Sequence, residues 1–154
     1  MKTFDLIKQY KIFEKDINKR VLKVLSSGSY ILGQNVKSFE GNARKYLATR
    51  YTVSCNSGTD ALVMSLRALN IGSNDQVITT PFTYFATSEA ISLVGAIPIF
   101  ADINPHTFNI NPKKIEKLIS KKTKAILSVN LFGQACELDK VSRIAKKYHL
   151  SHIE

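Results

Sequence analysis

The chain has 154 residues, of which 44% are hydrophobic and 22% are charged, and its formal net charge is +10. This length is enough for one domain with a buried core, and the composition excludes a disordered chain. No apolar stretch follows Lys2, and no apolar run is long enough to cross a bilayer. We therefore expect a cytoplasmic protein with no secretory signal and no membrane partner.

The cysteines and the basic charge add little about function. Cys55 and Cys136 lack the spacing of a metal site, so we expect two free thiols in a reducing compartment and no metal. The lysines are spread over polar helix faces, and no aromatic-interleaved basic motif accompanies them. We therefore expect no nucleic-acid partner, although a basic surface would also suit an anionic small molecule such as a nucleotide sugar.

The hydrophobic pattern predicts helices first and then an alternation of strands and helices. Helices are expected over 4–25 and 36–48, which together form an N-terminal helical segment, residues 1–50. In residues 51–154, short apolar strands are expected at 51–53, 77–80, 97–102, 125–129 and 152–153. One helix is expected to begin at residue 61 and another to pass through residues 91 and 94, and two more are expected over 112–120 and 138–148. Such strands are typical of a mostly parallel sheet covered by helices on both faces, so the predicted fold class is α/β.

A turn of small polar residues lies between the first predicted strand and its helix. Ser57, Gly58 and Thr59 precede the helical pattern that begins at Ala61. The first backbone N–H groups of a helix have no intrahelical partner, and its dipole favours negative charge, so a phosphate would fit there. An ordinary N-cap formed by Ser57 or Thr59 explains the same residues equally well. Both interpretations stay open at this point.

Further polar and aromatic residues follow the later strands. Thr83 and Tyr84 come after the strand at 77–80, Asp102 ends the next, and Asn130 and Gln134 follow the strand at 125–129. Ligands of parallel α/β sheets bind at the carboxyl ends of the strands. We therefore expect these side chains to converge on one edge of the sheet.

Eight segments, taken in order, give the chain a resemblance to a known family. They are 27–33, 36–40, 57–62, 75–87, 95–98, 102–105, 124–126 and 129–134. Together they resemble the N-terminal part of the DegT/DnrJ/EryC1/StrS sugar aminotransferases. These are pyridoxal 5'-phosphate enzymes of fold type I, the aspartate-aminotransferase fold, so the resemblance implies an incomplete large domain of that fold.

The resemblance also implies roles for single residues. Gly58 and Thr59 match the turn that holds the cofactor phosphate, and Ser57 shapes this turn or adds its hydroxyl. Tyr84 matches the aromatic residue that stacks on the pyridine ring, which a flat side chain suits. The alternative for Tyr84 is a core aromatic residue with a satisfied hydroxyl group.

Two further pairs have weaker implied roles. Tyr30 and Gly33 resemble a segment near the sugar-nucleotide side of the site, often contributed across a dimer, and a plain loop between helices explains them as well. Asn130 and Gln134 match a pocket-facing loop without an assigned chemical role.

The implied activity is transfer of an amino group, usually from glutamate, to a nucleotide-linked keto-sugar in cell-surface polysaccharide or amino-sugar biosynthesis, by a homodimer. The family's Schiff-base lysine, its pyridine-nitrogen aspartate and its small C-terminal domain would all lie beyond Glu154. We therefore expect a truncated chain without catalytic residues that is inactive and folds poorly alone. The alternatives are a pyridoxal-phosphate-dependent sugar dehydratase relative and a non-catalytic binding module.

Overall fold

The computed structural model describes residues 4–154 and divides the chain into two compact units. The first unit ends at Ser54, and the second is Cys55–Glu154. This division lies close to the boundary expected after residue 50. Among the helices that the structure describes, none is both long and apolar enough to cross a membrane.

The first unit contains two helices, and both expected helices are confirmed. Helix α1 spans Leu6–Ser27, and α2 spans Gln34–Tyr46. The Asp5 side chain caps α1 by accepting the N–H of Lys8 at 3.0 Å. The helix ends at Gly28, whose φ of 65° is the left-handed conformation that glycine adopts most easily. No described residue of either helix is buried, so the part of this unit that the structure describes has no core of its own.

The second unit is built from four strands and four helices. In chain order they are α3 Gly58–Ala68, β1 Gln76–Thr79, α4 Ala86–Leu93, β2 Ile97–Phe100, α5 Pro112–Ile115, β3 Thr123–Leu127, α6 Leu138–Lys147 and β4 Ser151–Ile153. Short 3-10 turns follow α5 and β3, at Glu116–Leu118 and Leu131–Gly133. All strands pair in parallel in the order β2-β1-β3-β4, which confirms the α/β class. Pro98 lies in β2, an outer strand of this sheet, where its missing N–H is tolerated.

The prediction of a strand at residues 51–53 is wrong. Tyr51 and Val53 are exposed, and this stretch has no regular structure. Directly after it, the N–H of Ser54 donates to the Glu40 carboxylate at 2.7 Å and not to a neighbouring strand. The β-branched and aromatic residues have strand propensity, but a strand also needs a partner. Among residues 4–154, no strand pairs with this stretch.

The sheet separates two apolar layers because successive strand residues point to opposite faces. Val77 packs with Leu66, Ile91 and Leu127 in the layer that includes α3 and α4. The next residue, Ile78, packs in the other layer, which includes residues of α5 and α6. The near-continuous apolar strands are therefore explained by burial on both faces.

The strand order creates a switch point between β1 and β3. From β1 the chain continues through α4 to β2 on one side, and from β3 it continues through α6 to β4 on the other. Since α4 and α6 cover opposite faces, the connections that leave β1 and β3 diverge. We therefore expect a crevice beyond the carboxyl ends of these two strands, where ligands of such sheets bind.

A histidine links β3, β4 and α6. The Nε2 of His152 lies 2.9 Å from the Ser128 hydroxyl, and its Nδ1 lies 3.0 Å from that of Ser142. Ser128 is only 2% exposed. Burial lowers the pKa of His152 below its ordinary value of 6.5, and the charge of Glu154 opposes this shift. The neutral imidazole is therefore the form that the fold stabilises.

We expect the free energy of unfolding to decrease as the pH decreases, because of His152. A histidine whose pKa is lowered by folding contributes its full stability above 6.5 and loses it as the pH falls towards the folded-state pKa. The measurement is the urea midpoint between pH 7.5 and 5, compared with His152→Gln, which does not titrate. His106→Gln, at an exposed site, is the matched control and keeps the pH dependence. An unchanged pH dependence in His152→Gln would contradict this account.

Candidate functional site

The N-terminus of α3 lies on the carboxyl side of the sheet. The helix precedes the parallel strand β1, so it runs back along the sheet and begins near the carboxyl ends of the strands. Ser57 is its N-cap, with extended backbone, and its Oγ accepts the N–H of Asp60 at 3.1 Å. The same hydroxyl donates to Asp60 Oδ2 at 3.0 Å, and Asn56 Nδ2 donates to that oxygen at 2.9 Å. The Ser57 hydroxyl is thus used in shaping the turn.

The donors left at this turn suit a phosphate. Within the described chain, no acceptor is bonded to the backbone N–H groups of Gly58 and Thr59 or to the half-buried Thr59 hydroxyl. A Cβ built on Gly58 would meet open space, so the backbone is accessible from outside. Asp60 is the carboxylate of this turn, and its Oδ2 is engaged by Asn56 and Ser57. Two free N–H groups, a hydroxyl and the helix dipole are features that would suit an anion.

Tyr84 lies in the connection between β1 and α4, beside the switch point. Its ring is 81% exposed, so it is not a core aromatic residue in this unit. The backbone at Tyr84 is fixed because its C=O accepts the N–H of Thr87 at 3.1 Å. The Thr83 hydroxyl lies 3.4 Å from that of Thr87. The loop therefore presents an exposed flat ring from an anchored backbone.

The loop after β3 uses the side chain of Asn130 internally. Its Oδ1 accepts the backbone N–H of Cys136 at 3.0 Å and lies 3.1 Å from the Cys136 thiol. Gln134 is exposed, and its backbone C=O accepts the Asn109 amide at 2.9 Å. Asn130 thus shapes the loop, whereas the side chain of Gln134 is the one open to solvent.

Tyr30 and Gly33 lie in the first unit, at the junction between α1 and α2. They line a recess of about 290 Å³ together with side chains from the end of α1 and the start of α2. The Tyr30 hydroxyl donates to the C=O of Leu25 at 3.0 Å. Gly33 cannot carry a side chain without strain, since a Cβ would lie 2.8 Å from the Ser29 carbonyl oxygen. The segment is a shaped loop, which both sequence interpretations allow.

Aromatic side chains are concentrated around the carboxyl edge of the second unit. Phe100, at the end of β2, is exposed. The other exposed ones come from the connections that follow β1, β2 and β3, and they are Phe82, Tyr84, Phe85, Phe108 and Phe132. Residues 4–154 contain no group of three or more His, Cys, Asp or Glu side chains placed to hold a metal ion. The edge therefore offers rings and neutral donors to a ligand.

Sequence reasoning missed Asn109, which is buried and bonded to the loop after β3. It stands between Phe108 and Ile110, so a polar residue within an apolar stretch was the available signal. Asp102, by contrast, is exposed, and its Oδ1 accepts the N–H of Ile103 at 2.8 Å. Its side chain serves the local turn.

We expect Ser57→Ala to lower the free energy of unfolding by about 1 kcal/mol, because the N-cap of α3 is lost. Ser65→Ala is the matched control on the same helix, since the Ser65 hydroxyl bonds only to the Ala61 carbonyl in its own helix. Alanine at this interior helical position leaves stability unchanged or slightly raises it. Urea denaturation of the three chains measures the difference, and equal losses in both variants would refute the capping role.

Comparison with known proteins identifies the family of this chain. The model of the DegT/DnrJ/EryC1/StrS aminotransferase family matches residues 11–154. The UDP-2-acetamido-2-deoxy-3-oxo-D-glucuronate aminotransferase of Pseudomonas aeruginosa is 41% identical over 150 residues, which are 97% of this chain and 42% of that protein. The dTDP-3-amino-3,6-dideoxy-alpha-D-galactopyranose transaminase of Aneurinibacillus thermoaerophilus is 42% identical over 142 residues, 92% of this chain and 39% of that protein.

Solved structures show the same fold. S. venezuelae DesV superposes with a TM-score of 0.94 at 34% identity, covering 96% of this chain and 40% of DesV. NtdA of Bacillus subtilis, solved with bound cofactor PMP, superposes with a TM-score of 0.88 at 38% identity, covering 90% of this chain and 32% of NtdA. The chain thus spans about two fifths of the length of the relatives it matches. It belongs to the DegT/DnrJ/EryC1/StrS aminotransferase family.

Proposed function

We propose that this chain supplies the cofactor-phosphate turn and the ring-stacking residue of an aminotransferase that depends on pyridoxal 5'-phosphate. The observation that carries this proposal is the set of free donors at the start of α3, on the same side of the sheet as the exposed ring of Tyr84. Family membership and relatives solved in PLP and PMP forms support this cofactor.

The residues of this chain would bind and orient the cofactor. The N–H groups of Gly58 and Thr59 and the Thr59 hydroxyl would hold the phosphate, with Ser57 fixing the turn. The ring of Tyr84 would support the flat face of the pyridine. When bound, the cofactor supplies the electron sink for moving an amino group. Holding both ends of the cofactor restricts its orientation, which lowers the entropic cost of reaction.

The proposed substrate is a keto-sugar linked to a nucleotide, with glutamate as the amino donor, in polysaccharide or amino-sugar biosynthesis. The names of the two relatives, which act on UDP- and dTDP-linked sugars, support this class. Gln134, on the loop that Asn130 shapes, is proposed for the substrate side. Tyr30 and Gly33, in the first unit, are proposed for the sugar-nucleotide side as residues contributed across the dimer. The reacting amine and the group that tunes the pyridine nitrogen are not assigned to any residue of this chain.

The proposal includes a homodimer and a cytoplasmic location. Exposed apolar side chains along α1, such as Ile7, Ile12 and Phe13, support an extended contact with further protein surface. The free thiols of Cys55 and Cys136 suit a reducing compartment. No nucleic-acid or membrane partner is included.

The test of the proposed function is binding of pyridoxamine 5'-phosphate to the purified chain by isothermal titration calorimetry. This form of the cofactor carries an amine in place of the aldehyde, so it does not react with the many surface lysines. Saturable binding with one site per chain is expected. Binding no stronger than that of inorganic phosphate would contradict the proposal that the Tyr84 ring stacks on the pyridine ring.

We also expect no transaminase turnover from the chain alone, since none of its residues is assigned to proton transfer. Release of 2-oxoglutarate from glutamate, in the presence of a UDP-linked 3-keto-sugar, is the measurement. Turnover above the rate without protein would show that this chain contains catalytic residues that we have not identified.

Tyr84→Ala should weaken binding of pyridoxamine 5'-phosphate about threefold to tenfold, because the stacking contact is lost. Tyr84→Phe keeps the ring and should bind like the unsubstituted chain. Tyr46→Ala is the control for removal of an exposed tyrosine, since Tyr46 lies on α2 and is 90% exposed. Equal affinities of Tyr84→Ala and the unsubstituted chain would exclude stacking on Tyr84.

A further inference from the structure

The buried side chain of Asn109 connects the segment before α5 to the loop after β3. Asn109 is 3% exposed. Its Nδ2 donates to the C=O of Gln134 at 2.9 Å, and its Oδ1 accepts the N–H of Leu131 at 3.1 Å. A buried amide that is satisfied on both its donor and its acceptor side has one favoured orientation. Both bonds end on the loop of residues 130–136, on either side of Phe132.

The backbone between these two bonds is strained. Phe132 has a φ of 54°, in the left-handed region that bulky residues avoid, and Gly133 follows with a φ of 80°. The Phe132 ring is 85% exposed, so burial of the ring does not stabilise this conformation in the described chain. Two backbone bonds close the turn, from the N–H of Gly133 to the C=O of Asn130 at 3.3 Å and from the N–H of Gln134 to the C=O of Leu131 at 3.0 Å. The bonds from Asn109, with that from Cys136 to Asn130, tie this turn to the rest of the unit.

The backbone that carries Asn109 is itself rigid. Ile103 and Ile110 form an antiparallel bridge, and Asn104 donates its N–H to the C=O of Asn109 at 2.9 Å. Ile110 is 2% exposed and belongs to the core layer on the α6 face. A side chain on such a frame can impose its geometry on a neighbouring loop.

The same segment also contacts the loop that carries Tyr84. The rings of Phe108 and Phe82 pack with their centroids 5.6 Å apart. Phe82 lies two residues before Tyr84, in the connection after β1. Residues 103–110 therefore contact both loops that flank the switch point between β1 and β3.

We infer that Asn109 is a positioning residue that fixes the loop of residues 130–136 and thereby holds the exposed ring of Phe132 at the crevice for a bound ligand with a flat ring. This role rests on the proposed function, because the ligand is the phosphorylated pyridine proposed to bind at this edge. Asn109 itself is buried and acts only through the loop. The strained Phe132 backbone is then explained as the cost of presenting its ring.

The test uses a fluorescent residue at the tip of the loop. The chain contains no tryptophan, so Phe132→Trp introduces a single one, whose fluorescence is excited at wavelengths where the tyrosines do not absorb. In this background Asn109→Asp keeps an oxygen that can accept the Leu131 N–H but loses the donor to Gln134. Asn104→Asp is the matched control, because the Asn104 side chain bonds only to the N–H of His106 in its own segment.

Two quantities are measured on the whole chain. The first is the fluorescence anisotropy of Trp at position 132 without ligand, which reports loop mobility. The second is the dissociation constant of pyridoxamine 5'-phosphate, followed by quenching of the same fluorescence. Asn109→Asp should lower the anisotropy and raise the dissociation constant about fivefold or more, because a buried hydrogen-bond partner is left unpaired. Asn104→Asp should change neither quantity.

An unchanged anisotropy in Asn109→Asp would overturn the inference, and so would a lower anisotropy with an unchanged dissociation constant. If the Phe132→Trp and unsubstituted chains both fail to bind pyridoxamine 5'-phosphate, the proposed function and the ligand part of the inference both fail. The anisotropy then still decides whether Asn109 holds the loop. Asn109→Ser, which introduces no buried charge, replaces Asn109→Asp if circular dichroism shows that the latter is unfolded.

Discussion

The parallel pairing of β1 with β3 is the constraint on which the second unit depends. Inside the sheet, the buried Thr79 hydroxyl donates to the C=O of Leu127 at 2.9 Å, close to where both strands end. This pairing places the outgoing connections of the two strands side by side while their helices cover opposite faces. Apolar burial on both faces fixes the register, since a shift by one residue would move Val77 and Ile78 into the wrong layers. The crevice expected at the carboxyl edge follows from the strand order.

Three connections bring chemically different groups to this edge. The start of α3 contributes backbone donors at Gly58 and Thr59, the loop after β1 contributes the ring of Tyr84, and the loop after β3 contributes Gln134 and Phe132. None of these groups needs a charged side chain to bind an anion, because the helix dipole and free N–H groups supply the positive potential. A chain with scattered lysines would in this way recognise a phosphate at one place, as we propose. The net charge of +10 is then a property of the surface and not of the site.

Much of the fold could be predicted from the sequence, because burial leaves a periodic signal. The helix from Leu6 ended at the glycine that its pattern indicated, and the four strands of the sheet overlap the predicted apolar runs. The expected strand at 51–53 was wrong because propensity is local, whereas pairing depends on a neighbour that the pattern does not show. The roles of Asn109 and Asn130 could not be predicted, because each depends on hydrogen bonds to residues that are not neighbours in the sequence. The partners of Asn109 are 22 and 25 positions away, and the partner of Asn130 is 6 positions away. The site residues Ser57, Gly58, Thr59 and Tyr84 remain predictions that the geometry supports.

The most direct measurement is a titration of the ¹⁵N-labelled chain with pyridoxamine 5'-phosphate, followed by the backbone amide signals in NMR spectra. The account predicts that the largest saturable shifts occur at Gly58 and Thr59, whose N–H groups would bond to the phosphate. Smaller shifts are expected at the loop of Tyr84. Shifts confined to residues next to surface lysines, with Gly58 and Thr59 unchanged, would contradict the claim that the start of α3 is a cofactor-phosphate site.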